Sequence, residues 1–118
     1  MLSWVDAPNI KVHVMRYEDM KQRPLEVFTE ATRFARLSHS HEQIKRALAL
    51  SSFDELQRQE KQFGFREKDP DAESFFREGQ VGVWRRKLTS EQADRIIRDH
   101  GDVMERFDYL TEKGKIIF

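Results

Sequence analysis

Three times in this chain a Ser or Thr stands three residues ahead of a Glu or Gln at the head of an apolar stripe. Ser40 precedes Gln43, and Ile44, Ala47 and Leu48 follow. Ser52 precedes Glu55, beside Phe53 and Leu56. Thr89 precedes Gln92, leading into Ala93, Ile96 and Ile97. In each case the hydroxyl can accept from a backbone N–H left over at a helix start, and the acid or amide can reach back. The spacing predicts helices over 41–50, 53–63 and 90–109, the last bending or breaking at Gly101 and closed off by Lys113-Gly114-Lys115. A fourth helix is expected from Pro24, whose missing N–H does no harm in a first turn. Its stripe is Val27, Phe28, Ala31, Phe34 and Ala35, and it should stop near Leu37. About four helices make this a mainly helical chain.

One segment runs on a different period. Ile10, Val12 and Val14 alternate with Lys11, His13 and Met15, the alternation of a strand. A strand is therefore expected over Ile10–Tyr17, followed by a turn to Pro24. A single strand leaves its N–H and C=O groups without a ladder. Its neighbour must come from another chain, from a segment outside these residues, or from the apolar tail Ile116-Ile117-Phe118.

Composition narrows the function classes. At 118 residues the chain suits one domain or a portion of one. Lys+Arg and Asp+Glu are 21 each. A neutral balance excludes a surface-wide field for nucleic acid or anionic lipid and leaves only local patches. With no cysteine, disulfides, thiol chemistry and cysteine zinc sites are excluded, and a reducing, cytoplasmic compartment fits. At 36% charged residues, no membrane-crossing helix is expected. His13, His39, His41 and His100 have no third ligand nearby in sequence, so no metal site is expected. Neither a Gly-Lys-Ser/Thr phosphate loop nor a nucleophile elbow occurs, and no catalytic residue is assigned.

Between the helices at 53–63 and 90–109 lies the long irregular stretch Gly64–Leu88, a length that is usually functional or mobile. Within it, residues 75–87 hold Phe75, Phe76 and Trp84, glycines 79 and 82, and four cations (Arg77, Arg85, Arg86, Lys87) against Glu78, a local charge of +3. Guanidinium beside glycine backbone is what phosphate or sulfate binding requires. The plainer reading is a solvated basic loop anchored by Trp84. Ser51-Ser52-Phe53 opens a helix, where N–H groups suit an anion and a ring can stack on a base. The plainer reading there is a cap with Phe53 in the core. Tyr17-Glu18-Asp19 lies at the carboxyl end of the expected strand, a usual place for ligands of open α/β sheets. The same residues also serve as a turn.

The order and spacing of these segments resemble the C-terminal half of the PAPS-dependent, cytosolic-type sulfotransferases (PAPS is 3′-phosphoadenosine 5′-phosphosulfate). Arg-Tyr-Glu-Asp-Met-Lys, Ser-Ser-Phe-Asp-Glu-Leu, Phe-Phe-Arg-Glu-Gly-Gln-Val-Gly-Val-Trp-Arg and Leu-Thr-Ser-Glu-Gln follow one another over roughly residues 4 to 110. The resemblance implies that Tyr17 contacts the adenine side of the nucleotide, that Ser51 lines the site and that Phe53 packs on the adenine. It implies that Phe76, Arg77 and Gly79 grip the 3′-phosphate and that Trp84 seats their loop. It also implies a fold: a C-terminal fragment of a three-layer P-loop-type α/β domain, residues 1–118 forming one partial domain that is mainly helical with one or two strands. The family's 5′-phosphosulfate loop and catalytic Lys and His belong to its N-terminal half. The chain alone is thus expected to be inactive, a truncated sulfotransferase or a non-catalytic helical assembly module, in a homo-oligomer such as a dimer or with a separate N-terminal half. Nucleic acid and membrane are not expected partners. This chain departs from the family pattern at Glu78, where Lys is usual, and at Val83, where Asp is common. The dimerisation motif of many cytosolic members is not evident.

Overall fold

The computed structural model describes residues 4–118, which divide between two compact units, Met1–Gly79 and Gln80–Phe118. The first unit opens with a single 3-10 turn at Trp4–Asp6 and carries helices α1 (Tyr17–Gln22), α2 (Pro24–Phe34), α3 (His41–Leu50) and α4 (Phe53–Phe63). The second carries the one-turn helix α5 (Trp84–Lys87) and the long helix α6 (Ser90–Arg106). The protein is mostly helical, and its single β-bridge among the described residues joins Leu110 to Ile116.

The start signals act as their chemistry requires at α3 and α6. Ser40 accepts from the Gln43 N–H while the Gln43 side chain accepts from the Ser40 N–H, and Thr89 and Gln92 repeat the exchange. At α4 only half the box forms. Ser52 caps the Glu55 N–H, but the Glu55 carboxylate instead accepts from Arg58 at 2.6 Å and Gln59 at 2.7 Å. Arg58, then Gln59, hold that carboxyl down to about 2. Two helices close on non-glycine residues in the left-handed region, Arg36 (φ 56°) after α2 and Asp108 (φ 58°) after α6. In both, the next residue's N–H reaches back to a carbonyl of the last turn: Leu37 to Thr32 at 2.9 Å, Tyr109 to Met104 at 2.7 Å.

Several expectations are corrected. Residues 10–16 form neither helix nor ladder. A strand exists only by pairing, and no described residue pairs with them, so Ile10, Val12 and Val14 stay 47%, 39% and 46% exposed. The tail does not serve that segment: Ile116 bridges Leu110, across a turn in which Gly114 (φ 70°) donates to Thr111. Tyr17–Gln22 is a helix rather than a turn. Asp19 in its first turn accepts from Arg16 at 2.6 Å and from Arg23 at 3.1 Å, and Arg16, then Arg23, hold its carboxyl below the usual range. Pro24 then forces Arg23 out of helical geometry (φ −133°, ψ 54°), which separates α1 from α2. Finally, α6 runs through Gly101 without a break and ends at Arg106, and the described residues form six α-helices where about four were expected.

In the first unit α1 packs on α2, α2 on α3 and α3 on α4. Val27 of α2 and Ile44 of α3 are buried, as is Glu60 of α4; in the second unit the buried residue is Leu110. A carboxylate among so few buried groups needs partners, and those partners lie in the candidate site.

Candidate functional site

Helix α4 builds the site. Phe53, Leu56, Gln57 and Glu60 recur at three- and four-residue steps, so they share one face. That face receives the loop 75–79. Glu60 accepts from the backbone N–H of Phe75 at 2.6 Å and of Phe76 at 3.0 Å. Gln57 Nε2 donates to the Phe76 carbonyl at 3.0 Å. Three bonds between one helix and two consecutive residues fix the loop's register. The same two N–H groups, Phe75 before Phe76, hold the Glu60 carboxyl below its ordinary value, as hydrogen bonds to an ionised form must.

Aromatic rings reinforce this seat. Phe76 meets Phe53 edge-on at 6.4 Å, and Phe65 packs on Phe75 and Phe76 at 4.5 and 5.1 Å. Gly79 then passes directly over Phe53: a Cβ built on it would lie 2.3 Å from Phe53 Cδ2. Its φ of +56° is also one that side chains rarely adopt. Close backbone approach to a ring and a left-handed turn both demand glycine here.

Of the six residues singled out for the site, the structure brings Phe53, Phe76 and Gly79 into direct contact, with exposed Arg77 between the last two in the chain. No carboxylate pairs with Arg77 among the described residues. Tyr17 is 41% exposed and is linked to Phe53 through Lys21, whose ammonium lies 6.0 Å from the Tyr17 ring centroid and 5.9 Å from that of Phe53. Ser51 stands two residues before Phe53, and its hydroxyl donates to the Ala47 carbonyl of α3 at 2.8 Å. Glu78 is half-buried with its Oε2 shielded from solvent, so this oxygen is not presented at the surface beside Arg77. In the second unit Trp84 opens α5 with the Arg85 guanidinium 4.8 Å from its ring.

Sequence reasoning missed Lys21, Gln57 and Glu60. Glu60 had a signal: a carboxylate on the apolar stripe of α4, seven residues after Phe53. Lys21 had one only if 17–22 is helical, because four residues then place it above Tyr17. Among the described residues no cluster of His, Cys, Asp or Glu is arranged to hold a metal, and no helix is long and apolar enough to cross a membrane.

A helix-braced loop with a guanidinium, a glycine turn and flanking rings has the chemical groups to receive an anionic group attached to a planar one. The chain matches the family described as Sulfotransferase domain over residues 2–108. It belongs to the sulfotransferase family. No curated protein and no solved structure matches it.

Proposed function

We propose that these residues are the 3′-phosphoadenosine-binding portion of a cytosolic-type, PAPS-dependent sulfotransferase, one partial domain of a larger cytoplasmic enzyme. The observation that carries this reading is the cluster of Phe53, Phe76, Gly79 and Arg77. Its chemistry fits the donor nucleotide. Arg77 supplies an unpaired guanidinium for a phosphate. Gly79 has no Cβ and so lets the loop backbone close onto the Phe53 ring, which holds Arg77 and the loop against the ring. Phe53 offers a ring for a base, and the Lys21 ammonium lies about equally far from that ring and from Tyr17. When bound, PAPS would supply a sulfuryl group that leaves its 5′-phosphate for the oxygen or nitrogen of an alcohol or amine acceptor. The groups that stabilise that transfer are not among the site residues here, so this chain by itself is read as binding without turnover.

Titration calorimetry with 3′-phosphoadenosine 5′-phosphate (PAP) tests the reading. Wild type should bind weakly. Arg77→Ala should lose about tenfold or more, the usual cost of removing a charged hydrogen-bond partner, and Glu78→Lys should bind more tightly by adding a cation in the loop. Equal heats from wild type and Arg77→Ala, or none from either at millimolar ligand, would overturn it.

A second reading is favoured by one observation, the exposed apolar segment at Ile10, Val12 and Val14. In that case the chain is a non-catalytic helical assembly module whose bare segment pairs with a second copy or with a separate N-terminal sulfotransferase half. An absence of PAP binding supports this alternative.

A further inference from the structure

We infer that Lys21 is a second anion-binding cation of this site, acting with Arg77 to select a phosphorylated nucleotide over an uncharged nucleoside. The inference rests on the nucleotide-site reading above and extends it to a residue on a different helix.

Lys21 lies in the last turn of α1. Its ammonium stands close to two rings at once, 6.0 Å from the centroid of Tyr17 and 5.9 Å from that of Phe53. The Tyr17 contact is local, since the two residues are one turn apart. The Phe53 contact is not: it crosses from α1 to the start of α4. An ammonium held by two ring faces is positioned, although each such contact is worth little at an exposed site. No carboxylate pairs with Lys21 among the described residues, whereas Asp19, two residues earlier, is occupied by Arg16 and Arg23. The charge of Lys21 is thus available to a ligand.

Phe53 is the hub. Lys21 approaches its ring, Gly79 passes over the same ring, and Phe76 meets its edge. Arg77 lies between Phe76 and Gly79 in the chain. One cation thus stands by the Phe53 ring, and a second belongs to the loop whose residues on either side of it contact that ring, in a protein whose net charge is zero. On this inference a ligand resting its base on Phe53 meets Lys21 beside the ring and the Arg77 loop at its edge. An uncharged nucleoside gains the ring and neither cation.

The test compares PAP with adenosine by calorimetry on wild type, Lys21→Met, Lys21→Arg and Arg77→Ala, with thermal melts as a check on folding. Met keeps most of the stem length and removes the charge; Arg restores the charge. Lys21→Met should weaken PAP binding about tenfold, with a smaller effect at high salt. It should leave adenosine binding unchanged, and Lys21→Arg should recover most of the loss. If PAP and adenosine weaken together in Lys21→Met, the residue packs the rings and the inference is wrong. If Arg77→Ala weakens PAP while Lys21→Met does not, the inference fails and the nucleotide site stands. If neither variant changes PAP binding, the nucleotide-site reading fails with it.

Discussion

Gly79→Ala is expected to abolish PAP binding and to destabilise the first unit by about 2–4 kcal/mol, from left-handed backbone strain plus overpacking. Two separate penalties fall on this one position. A residue with a Cβ resists φ of +56°, and the new methyl would sit 2.3 Å from Phe53 Cδ2 and 2.6 Å from Cε2. No ordinary contact is that short, so either Phe53 or the loop must move. Phe53 cannot move alone, because its ring meets Phe76, whose backbone is fixed by Glu60 and Gln57. Gly114→Ala is the control. Its φ is +70°, yet nothing lies within 4 Å of a Cβ there, so only the backbone cost of about 1–2 kcal/mol applies. Chemical denaturation of the two variants separates strain from collision. Equal losses, with PAP binding retained in Gly79→Ala, would mean that Gly79 does not press on the ring in solution.

Glu60→Ala should lower the denaturation midpoint of the first unit by several degrees and weaken PAP binding by at least about tenfold, since displacing a binding group by even 1 Å is costly. The variant leaves the N–H groups of Phe75 and Phe76 without their acceptors, and a buried donor without a partner is penalised. Glu60→Gln is the informative companion. Its single carbonyl oxygen can serve one of the two N–H groups, so its loss should be intermediate. The pH dependence follows in sign. The folded carboxyl is held below its ordinary value of 4.5, so folding favours the ionised form. The stabilisation is therefore complete above the unfolded value and is lost as pH falls through the lower folded one. Glu60→Gln, which cannot titrate, should flatten that acid limb. A melting profile between neutral and acid pH that is identical in wild type and Glu60→Gln would show that the loop is not held this way.

Legibility in the sequence followed the range of the interaction. The helices at 41–50 and 53–63 were readable to the residue because Ser40 and Ser52 satisfy N–H groups three residues on, which is local chemistry. α6 was readable at its start for the same reason, through Thr89. Its end was missed because a left-handed Asp108 stops the helix, and nothing in Asp itself announces that. The strand expected over Ile10–Tyr17 was misread because alternation reports a preference, while a ladder needs a neighbour that period alone cannot supply. Arg16 and Arg23 converge on Asp19, and this three-residue contact made a helix of the expected turn.

The candidate site was legible in its components, though not in its brace. Phe53 and the loop holding Phe76 and Gly79 were singled out as separate segments and meet in space. What joins them is Glu60, fifteen and sixteen residues from the N–H groups it holds. Lys21 and Phe53 lie thirty-two positions apart in the chain. Pairings of that span leave no periodic trace in one sequence. The carboxylate one turn beyond Leu56, on the face of α4 that also carries Phe53, was the available hint.

The central claim is that the loop at 76–79 and the ring at 53 form one nucleotide surface, and amide spectra of the protein titrated with PAP test it most directly. Signals of Phe53, Arg77, Glu78 and Gly79 should shift together along one binding curve, with that curve displaced in Arg77→Ala. Shifts confined to other residues, or no shift at millimolar PAP in a folded protein, would contradict it.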